Sequence, residues 1–171
     1  MPMDNTARQA LFETILSDFG PSLRRLCVGY ERNRAEQEEL EQEVLLNLWR
    51  ALPSFRGEAS LRTWMYRVAH NTATKHCHRA MRQPKDTVGD QRLVHQATSE
   101  AGPDEQVAQA DARARLQTHI NALKPLDRQL MLLYLEDIPQ SEIAEIVGLT
   151  QANVSTRVHR IKGELIKRMQ T

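Results

Sequence analysis

A helix, a tight turn and a second helix are encoded between residues 140 and 168. Ala144 precedes Gly148 by four residues, and Val154 follows six residues later. A small residue lets two helices approach, glycine takes the left-handed turn position, and valine fills the core that the helices share. Apolar residues then recur at helical spacing, at Val154, Val158, Ile161 and Leu165. The stretch therefore predicts a helix-turn-helix whose second helix buries one face and exposes the opposite one.

The exposed face of this second helix is short, polar and basic, as a reader of the DNA major groove must be. Small side chains permit close approach, asparagine and arginine recognise base edges, and cations contact phosphates. An ordinary antiparallel helix pair with a solvated face is the alternative, but the turn chemistry and the charge both favour DNA binding. The candidate DNA-binding residues are Asn153, Ser155, Thr156, Arg157, His159, Arg160 and Lys162.

Helical patterns also fill the rest of the chain. An apolar series over residues 11–30 predicts a helix with a break or kink at Pro21, and further helices are expected at 34–52, at 61–81 behind a Ser60 cap, and at 125–135. Glycine and proline together supply only 14 of 171 residues, which favours helices over turn-rich β architecture. The longest apolar run, residues 130–135, is too short to span a membrane. We expect an all-α fold without membrane insertion.

A stretch in which apolar residues show no helical spacing separates these helices into two groups. It contains Pro84, Gly89, Gly102 and Pro103, and a structureless segment of this length is unusual inside one compact domain. We therefore predict two small helical domains, at 1–83 and 104–171, joined by a flexible acidic linker at 84–103.

The formal net charge of +1 conceals four charged blocks of alternating sign. Residues 31–43 sum to −4, residues 50–85 to +7, residues 86–111 to −5 and residues 150–171 to +4. Separate blocks indicate separate partners, with the basic ones suited to a polyanion and the acidic ones to a basic surface. Solvated helix faces are the alternative for any single block.

Catalytic and metal-binding patterns are missing from the sequence. It has no phosphate-binding glycine loop and no recognisable nucleophile and base set, so we expect no enzyme activity, no catalytic residues and no cofactor. The run His76-Cys77-His78 is a poor metal site because consecutive helical residues point about 100° apart. Two cysteines and no secretory signal predict a cytoplasmic protein.

Two long segments carry a family resemblance. LEDIPQSEIAEIVGLTQANVSTRVHRIKGEL resembles region 4.2 of bacterial RNA polymerase sigma factors, and ELEQEVLLNLWRALPSFRGEASLRTWMYRVAHNTATKH resembles their region 2. In this order, with a short linker and no region 3, they are similar to the extracytoplasmic-function (ECF) group, over roughly residues 8–82 and 105–170. The resemblance implies a protein that directs core RNA polymerase to promoters.

The resemblance also implies roles for individual residues. The exposed helix face described above would read the minus-35 element, and region 2 would melt the minus-10 element and hold a flipped base. Asn71 matches the family's base-contacting asparagine. The remaining minus-10 candidates are the pocket loop Phe55, Arg56 and Gly57 and the strand contacts Tyr66, Arg67, Lys75 and Arg79.

In this family the acidic helix of region 2 docks on the clamp helices of the largest polymerase subunit. By position, the residues concerned are Glu36, Glu38, Glu39, Gln42 and Glu43. The implied partners are core RNA polymerase and promoter DNA, with an anti-sigma factor as a further candidate, and we expect a monomer when bound to polymerase. The rival interpretation is a dimeric operator-binding regulator with a helical sensor. A third is that the region 2 face mainly serves a protein partner such as an anti-sigma factor.

Overall fold

The computed structural model describes residues 4–82 and 103–170, and α-helices account for almost all of them. No strand occurs in these two ranges, so the predicted all-α fold is confirmed. None of the described helices is both long and apolar enough to cross a bilayer. The helices are α1 Asn5–Tyr30, α2 Arg34–Ala51, α3 Leu61–Arg82, α4 Pro103–Asn121, α5 Pro125–Leu135, α6 Gln140–Val147 and α7 Gln151–Gln170, with a 3-10 turn at Leu52–Ser54.

Helices α1, α2 and α3 form the first bundle. The Asn33 side chain caps α2 by accepting a hydrogen bond from the Ala35 amide at 2.8 Å. Pro53 lies in the 3-10 turn where α2 ends, because proline has no N–H to continue the helix. Ser60 accepts from the Thr63 amide at 3.0 Å and so caps α3 as predicted. The core of this bundle contains Ile15, Leu23, Leu26, Leu40, Val44, Leu48, Met65, Ala69 and Ala73.

Helix α1 runs through Pro21, where the sequence predicts a break or kink. A proline inside a helix costs about 3 kcal/mol because it removes one backbone hydrogen bond and crowds the preceding turn. Ile15 before the proline and Leu23 and Leu26 after it are all buried in one core. Burial of this continuous stripe offsets the cost, and the expected break does not occur.

Helices α4 to α7 form the second bundle, which contains the helix-turn-helix. Pro125 begins α5 at the first helical position, as predicted. Gly148 ends α6 in the left-handed region, with φ of 73°, and the Leu149 amide then bonds to the Ala144 carbonyl at 3.0 Å. The buried stripe of α7 consists of Val154, Val158, Ile161 and Leu165.

Most of the predicted linker lies outside the described residues. Helix α3 ends at Arg82 and α4 begins at Pro103, the last residue of the predicted linker. The division of the chain into 1–83, 84–103 and 104–171 therefore stays a prediction.

The two bundles contact each other. Helix α6 packs on α3, and α4 packs on α1. Arg25 of α1 forms a bidentate ion pair with Glu136, at 2.5 and 2.7 Å. Gly29 of α1 meets the side chain of Leu132 from α5, so that a β-carbon at position 29 would lie 2.3 Å from a Leu132 methyl carbon. The contact thus combines close apolar packing with ion pairs.

A buried histidine joins α3 to α1. The Nδ1 atom of His70 lies 2.8 Å from the Tyr30 hydroxyl, and His70 is 1% exposed. Burial raises the pKa of Tyr30, so the phenol keeps its proton within this hydrogen bond. Burial also lowers the pKa of His70 to about 3, since a buried imidazolium would lose its hydration. His70 is therefore neutral in the folded chain.

This burial makes folding stability depend on pH. The unfolded chain takes up a proton at His70 below an ordinary imidazole pKa of about 6.5, while the folded chain does not. The contribution of His70 to the free energy of unfolding is therefore fully present above that value, and it decreases as the pH falls from about 6.5 towards 3. Between pH 7.5 and 5.5 we expect this group to lower the free energy of unfolding by about 1 kcal/mol. Urea unfolding followed by circular dichroism measures the change. The variant His70→Gln should show a smaller change in the free energy of unfolding between these two pH values. An equal pH dependence in the variant would contradict the assignment of the change to His70.

Candidate nucleic-acid and partner interfaces

The outer face of α7 carries the residues predicted to contact duplex DNA. Thr150 caps the helix by accepting from the Asn153 amide at 3.2 Å, and the buried stripe turns the opposite side outward. Arg157 is half-buried. The other members of the predicted set are exposed: Asn153, Ser155, Thr156, His159, Arg160 and Lys162. The structure thus brings the seven residues together on one accessible helix.

Asp127 orients two arginines of this face. Its carboxylate accepts from Arg157 at 3.2 Å and from Arg160 at 2.8 Å, and its side chain is 9% exposed. Arg160 also donates to Glu164 at 2.9 Å. Hydrogen bonding to Asp127, followed by Glu164, raises the pKa of Arg160, so the guanidinium stays charged. Asp127 is not among the residues predicted from the sequence, although an acid in the first turn of a helix after proline is a visible signal.

Tyr134 fixes Lys162 at the edge of the same face. The Lys162 amine donates to the Tyr134 hydroxyl at 2.9 Å and lies 4.9 Å from the centre of the ring. A cation over an aromatic ring is attracted by the negative face of the ring. Lys162 therefore flanks the helix face with its charge in solvent.

A second exposed stripe runs along α3. Arg67, Asn71, Lys75 and Arg79 follow one another at intervals of four residues, and all four are exposed. Residues four apart lie above one another on a helix. The asparagine thus stands in a row of cations, an arrangement suited to a nucleic-acid strand with its base near Asn71 and its backbone along the helix.

The loop before α3 contains the other candidates of this interface. Phe55 is half-buried, with its ring centre 5.3 Å from that of Trp64. Arg56 and Gly57 are exposed, and Gly57 has φ of 73°, a backbone conformation that favours glycine. The loop therefore presents its backbone and one cation to solvent beside the N-terminus of α3.

Tyr66 does not belong to the exposed stripe. It is 2% exposed and lines a cleft of about 460 Å³ bordered by α1, α3, α4 and α5. Burial raises the pKa of Tyr66. In this arrangement of the bundles its side chain is not accessible to a nucleic acid.

Some of the predicted polymerase-docking residues on the acidic helix α2 face solvent, and others face the bundle. Glu38, Glu39 and Gln42 are exposed, and Glu38 pairs with Arg34 at 3.0 Å. Glu36 and Glu43 are half-buried and turn towards α3. The accessible part of the predicted docking face is therefore centred on residues 38–42.

His76 of α3 lies beneath this acidic helix and was missed as a neighbour of the docking residues. Its Nδ1 is 3.0 Å from the Glu43 carboxylate, and its Nε2 is 3.6 Å from Glu36 and 3.8 Å from Glu31. Arg79 also donates to Glu43, at 2.6 Å. Glu43 and Arg79, predicted for two different partners, are thus paired with each other.

The described residues contain no group of three or more histidine, cysteine, aspartate or glutamate side chains that could hold a metal ion. Among them, Cys27 is buried, and its burial raises the pKa of its thiol to about 12. A protonated thiol is a weak nucleophile and a poor metal ligand.

Two protein families match the chain. The family described as Sigma-70 region 2 matches residues 15–83, and the family described as Sigma-70, region 4 matches residues 113–165. The first match spans α3 and the acidic helix, and the second spans the helix-turn-helix. The two matches together cover well over half of the chain.

Known proteins match over most of their length. The RNA polymerase sigma factor YlaC of Bacillus subtilis is 28% identical, over 77% of this chain and 76% of its own. The ECF RNA polymerase sigma factor SigW of the same organism is 24% identical, over 95% and 90%. The solved structure of the sigma factor RpoE from Bartonella quintana, in complex with the anti-sigma factor NepR, is 18% identical. It covers 94% of this chain and 97% of its own, with a TM-score of 0.71, which indicates a common fold.

The role of Asp127 can be measured through stability. Asp127→Asn removes the negative charge shared by Arg157 and Arg160, and both arginines are partly solvated, so we expect a loss of about 1–2 kcal/mol in the free energy of unfolding. Chemical denaturation gives the value. Glu164→Gln is the matched control, because the Glu164 side chain is 41% exposed and pairs with Arg160 from the same helix. Equal losses in the two variants would contradict the assignment to Asp127.

Proposed function

This chain belongs to the extracytoplasmic-function group of the sigma-70 family and acts in promoter-specific transcription initiation with RNA polymerase, and we propose that α2, α3 and α7 divide this work. Sigma factors are typically non-enzymatic DNA-recognition subunits. Helix α7 would read the minus-35 element, α3 with its preceding loop would hold the melted minus-10 strand, and α2 would dock on the polymerase. The observation that carries the proposal is that each helix buries one stripe and exposes a face of matching chemistry.

The proposal for α7 rests on the length and charge of its exposed side chains. Ser155 and Thr156 are small enough for the helix to enter the major groove, and Asn153 can pair with adenine. Arg157 and Arg160 would reach base edges or phosphates from the positions that Asp127 gives them. Lys162 at the edge suits a phosphate contact.

The proposal for α3 rests on its stripe of cations around Asn71. Melting a base pair costs a few kcal/mol, so the extruded base and the strand backbone must both be held. Asn71 would hydrogen-bond the base, while Arg67, Lys75 and Arg79 would contact phosphates. Phe55, Arg56 and Gly57 would line the base pocket, and Tyr66 would take part only after the bundles separate.

The proposal for α2 rests on charge. Exposed carboxylates on one helix face steer association with a basic surface and fix its orientation. Glu38, Glu39 and Gln42 would make the direct contacts with the clamp helices, with Glu36 and Glu43 at the margin. The same surface, or the cleft between the bundles, would accept an anti-sigma factor, as the complex of RpoE with NepR suggests. Work with core polymerase would take place in the bacterial cytoplasm, with 1–83 and 104–171 as separate domains.

Run-off transcription tests the function and its polymerase surface together. Purified chain is added to bacterial core polymerase on a library of upstream DNA, and transcripts with defined start sites are the expected result. Glu39→Lys reverses one exposed charge of the docking face and should lower affinity for core polymerase by about three- to tenfold. Glu13→Lys on α1 is the matched control, because Glu13 is also exposed but lies outside that face. Absence of transcripts, with tight binding of duplex operators by the chain alone, would favour a conventional DNA-binding regulator.

Asn71→Ala tests the minus-10 assignment. Because Asn71 is exposed, the variant should fold normally and bind core polymerase and minus-35 DNA as before. Open-complex formation, followed by permanganate reactivity of unpaired thymines, should fall by about 10-fold, as expected for the loss of one hydrogen-bonded base contact worth about 1–3 kcal/mol. The variant Gln9→Ala, an exposed amide on α1, is the control. An equal loss of core binding, minus-35 binding and melting would indicate misfolding instead.

A further inference from the structure

The N-terminal turn of α3 holds a carboxylate from the other bundle. Glu142 of α6 accepts two hydrogen bonds from the Arg62 guanidinium, one from Nε at 2.9 Å and one from Nη2. The Thr63 hydroxyl donates to the same carboxylate at 3.0 Å. The Glu142 side chain is 15% exposed. Three donors from two adjacent residues therefore converge on one anion.

These donors are held in place by the start of the helix. The Ser60 hydroxyl lies 2.9 Å from the Thr63 hydroxyl and accepts from the Thr63 amide at 3.0 Å, which fixes the Thr63 side chain. Hydrogen bonding to Glu142 raises the pKa of Arg62, and hydrogen bonding to Arg62 lowers that of Glu142. Both groups are therefore charged, and the site is occupied by an anion.

The chemistry of this site is that of a phosphate site. A guanidinium that binds two oxygens side by side suits the two free oxygens of a phosphodiester as well as it suits a carboxylate. A hydroxyl donor at the start of a helix adds to the attraction of an anion. Thr63 lies four residues before Arg67 and so continues the line of the exposed stripe by one turn, and the Arg62 guanidinium binds the same carboxylate beside it.

Helix α6 covers this end of the stripe in a second way. Arg67 donates to the backbone carbonyl of Glu145 at 2.8 Å. Arg62 and Arg67, five residues apart on α3, thus both donate hydrogen bonds to α6. An approaching DNA strand would have to displace α6 from these two cations.

We propose that Arg62 and Thr63 form a phosphate-binding site for single-stranded DNA, and that Glu142 is its internal competitor in the free chain. This inference rests on the proposed function of α3 and adds residues to its interface. When the bundles pack as described, the site is filled and the strand path is closed at α6. When α6 leaves α3, the site accepts a phosphate of the melted strand.

The energies permit such an exchange. The Arg62 side chain is 42% exposed, and partly solvated ion pairs contribute little to stability because water screens them. A DNA strand, which offers a phosphate at every nucleotide and several cations to bind along α3, can displace a pair of this strength. Glu142 therefore weakens binding of single-stranded DNA without preventing it.

The experiment measures binding of a fluorescein-labelled single-stranded oligonucleotide to the full chain by fluorescence anisotropy. Glu142→Gln keeps the shape of the side chain but removes its charge, and should increase affinity about fivefold, as expected for the release of about 1 kcal/mol. Arg62→Gln should lower affinity. In the double variant Arg62→Gln with Glu142→Gln the gain should be lost, because the site itself is absent.

Glu136→Gln is the matched control, since it removes a second carboxylate pair between the bundles, the one with Arg25, and leaves Arg62 paired with Glu142. It should change affinity less than twofold if competition at Arg62 is direct. Circular dichroism shows that each variant is folded. Three results would overturn the proposal. The first is no gain in affinity with Glu142→Gln, which includes the case that no variant binds the oligonucleotide detectably. The others are an equal gain in affinity with Glu136→Gln and a gain that persists in the double variant.

Run-off transcription with the unmodified chain separates this inference from the proposed function. Defined transcripts together with unchanged oligonucleotide binding in Glu142→Gln would overturn the proposed role of Glu142 as a competitor and leave the proposed function intact. A gain in oligonucleotide binding without transcripts would leave the Arg62 site intact and contradict the function.

Discussion

Burial of one stripe on each long helix determines which side chains the protein offers to its partners. On α3, Met65, Ala69 and Ala73 are buried at intervals of four residues, so the row that contains Asn71 and Lys75 must face solvent. The same constraint on α7 turns Asn153 and its neighbours outward. The interfaces therefore require no strained backbone, since the packing that stabilises each bundle also positions its exposed face.

The carboxylates of this protein restrain the cations that would bind nucleic acid. Asp127 holds Arg157 and Arg160, Glu43 holds Arg79, and Glu142 holds Arg62. In sequence the partners of each pair lie far apart, in a chain whose net charge is +1, and in space they meet as pairs. Free cationic side chains would be mobile, and a paired guanidinium has a defined direction. The near-neutral net charge is thus consistent with a protein built to bind a polyanion.

Helix positions and fold class could be predicted from the sequence because they follow from local period, capping and turn chemistry. The bounds of α5, the left-handed Gly148 and the Ser60 cap all depend on residues close in sequence. At Pro21, where a local rule predicts a break or kink, burial on both sides maintains the helix without a break. The ECF sigma family was also evident from two segments.

The contacts of the candidate sites were harder to predict. Asp127 lies 33 residues from Arg160, and Glu142 lies 80 residues from Arg62, so no local pattern joins these pairs. Tyr66 shows the same difficulty, since its exposure depends on a helix bundle encoded much later in the chain. The DNA and polymerase contacts themselves stay predictions, because they concern molecules outside this chain.

Gly29 determines how closely the two halves of the molecule can approach. Its missing side chain leaves the space that the Leu132 methyl groups occupy, and any larger residue there would meet them at 2.3 Å. The substitution Gly29→Ala would force Leu132 into another rotamer or move α5 away from α1. Either response would alter the contact between α1 and α5. Position 29 is consequently a place where a single methyl group can change the relative arrangement of the halves.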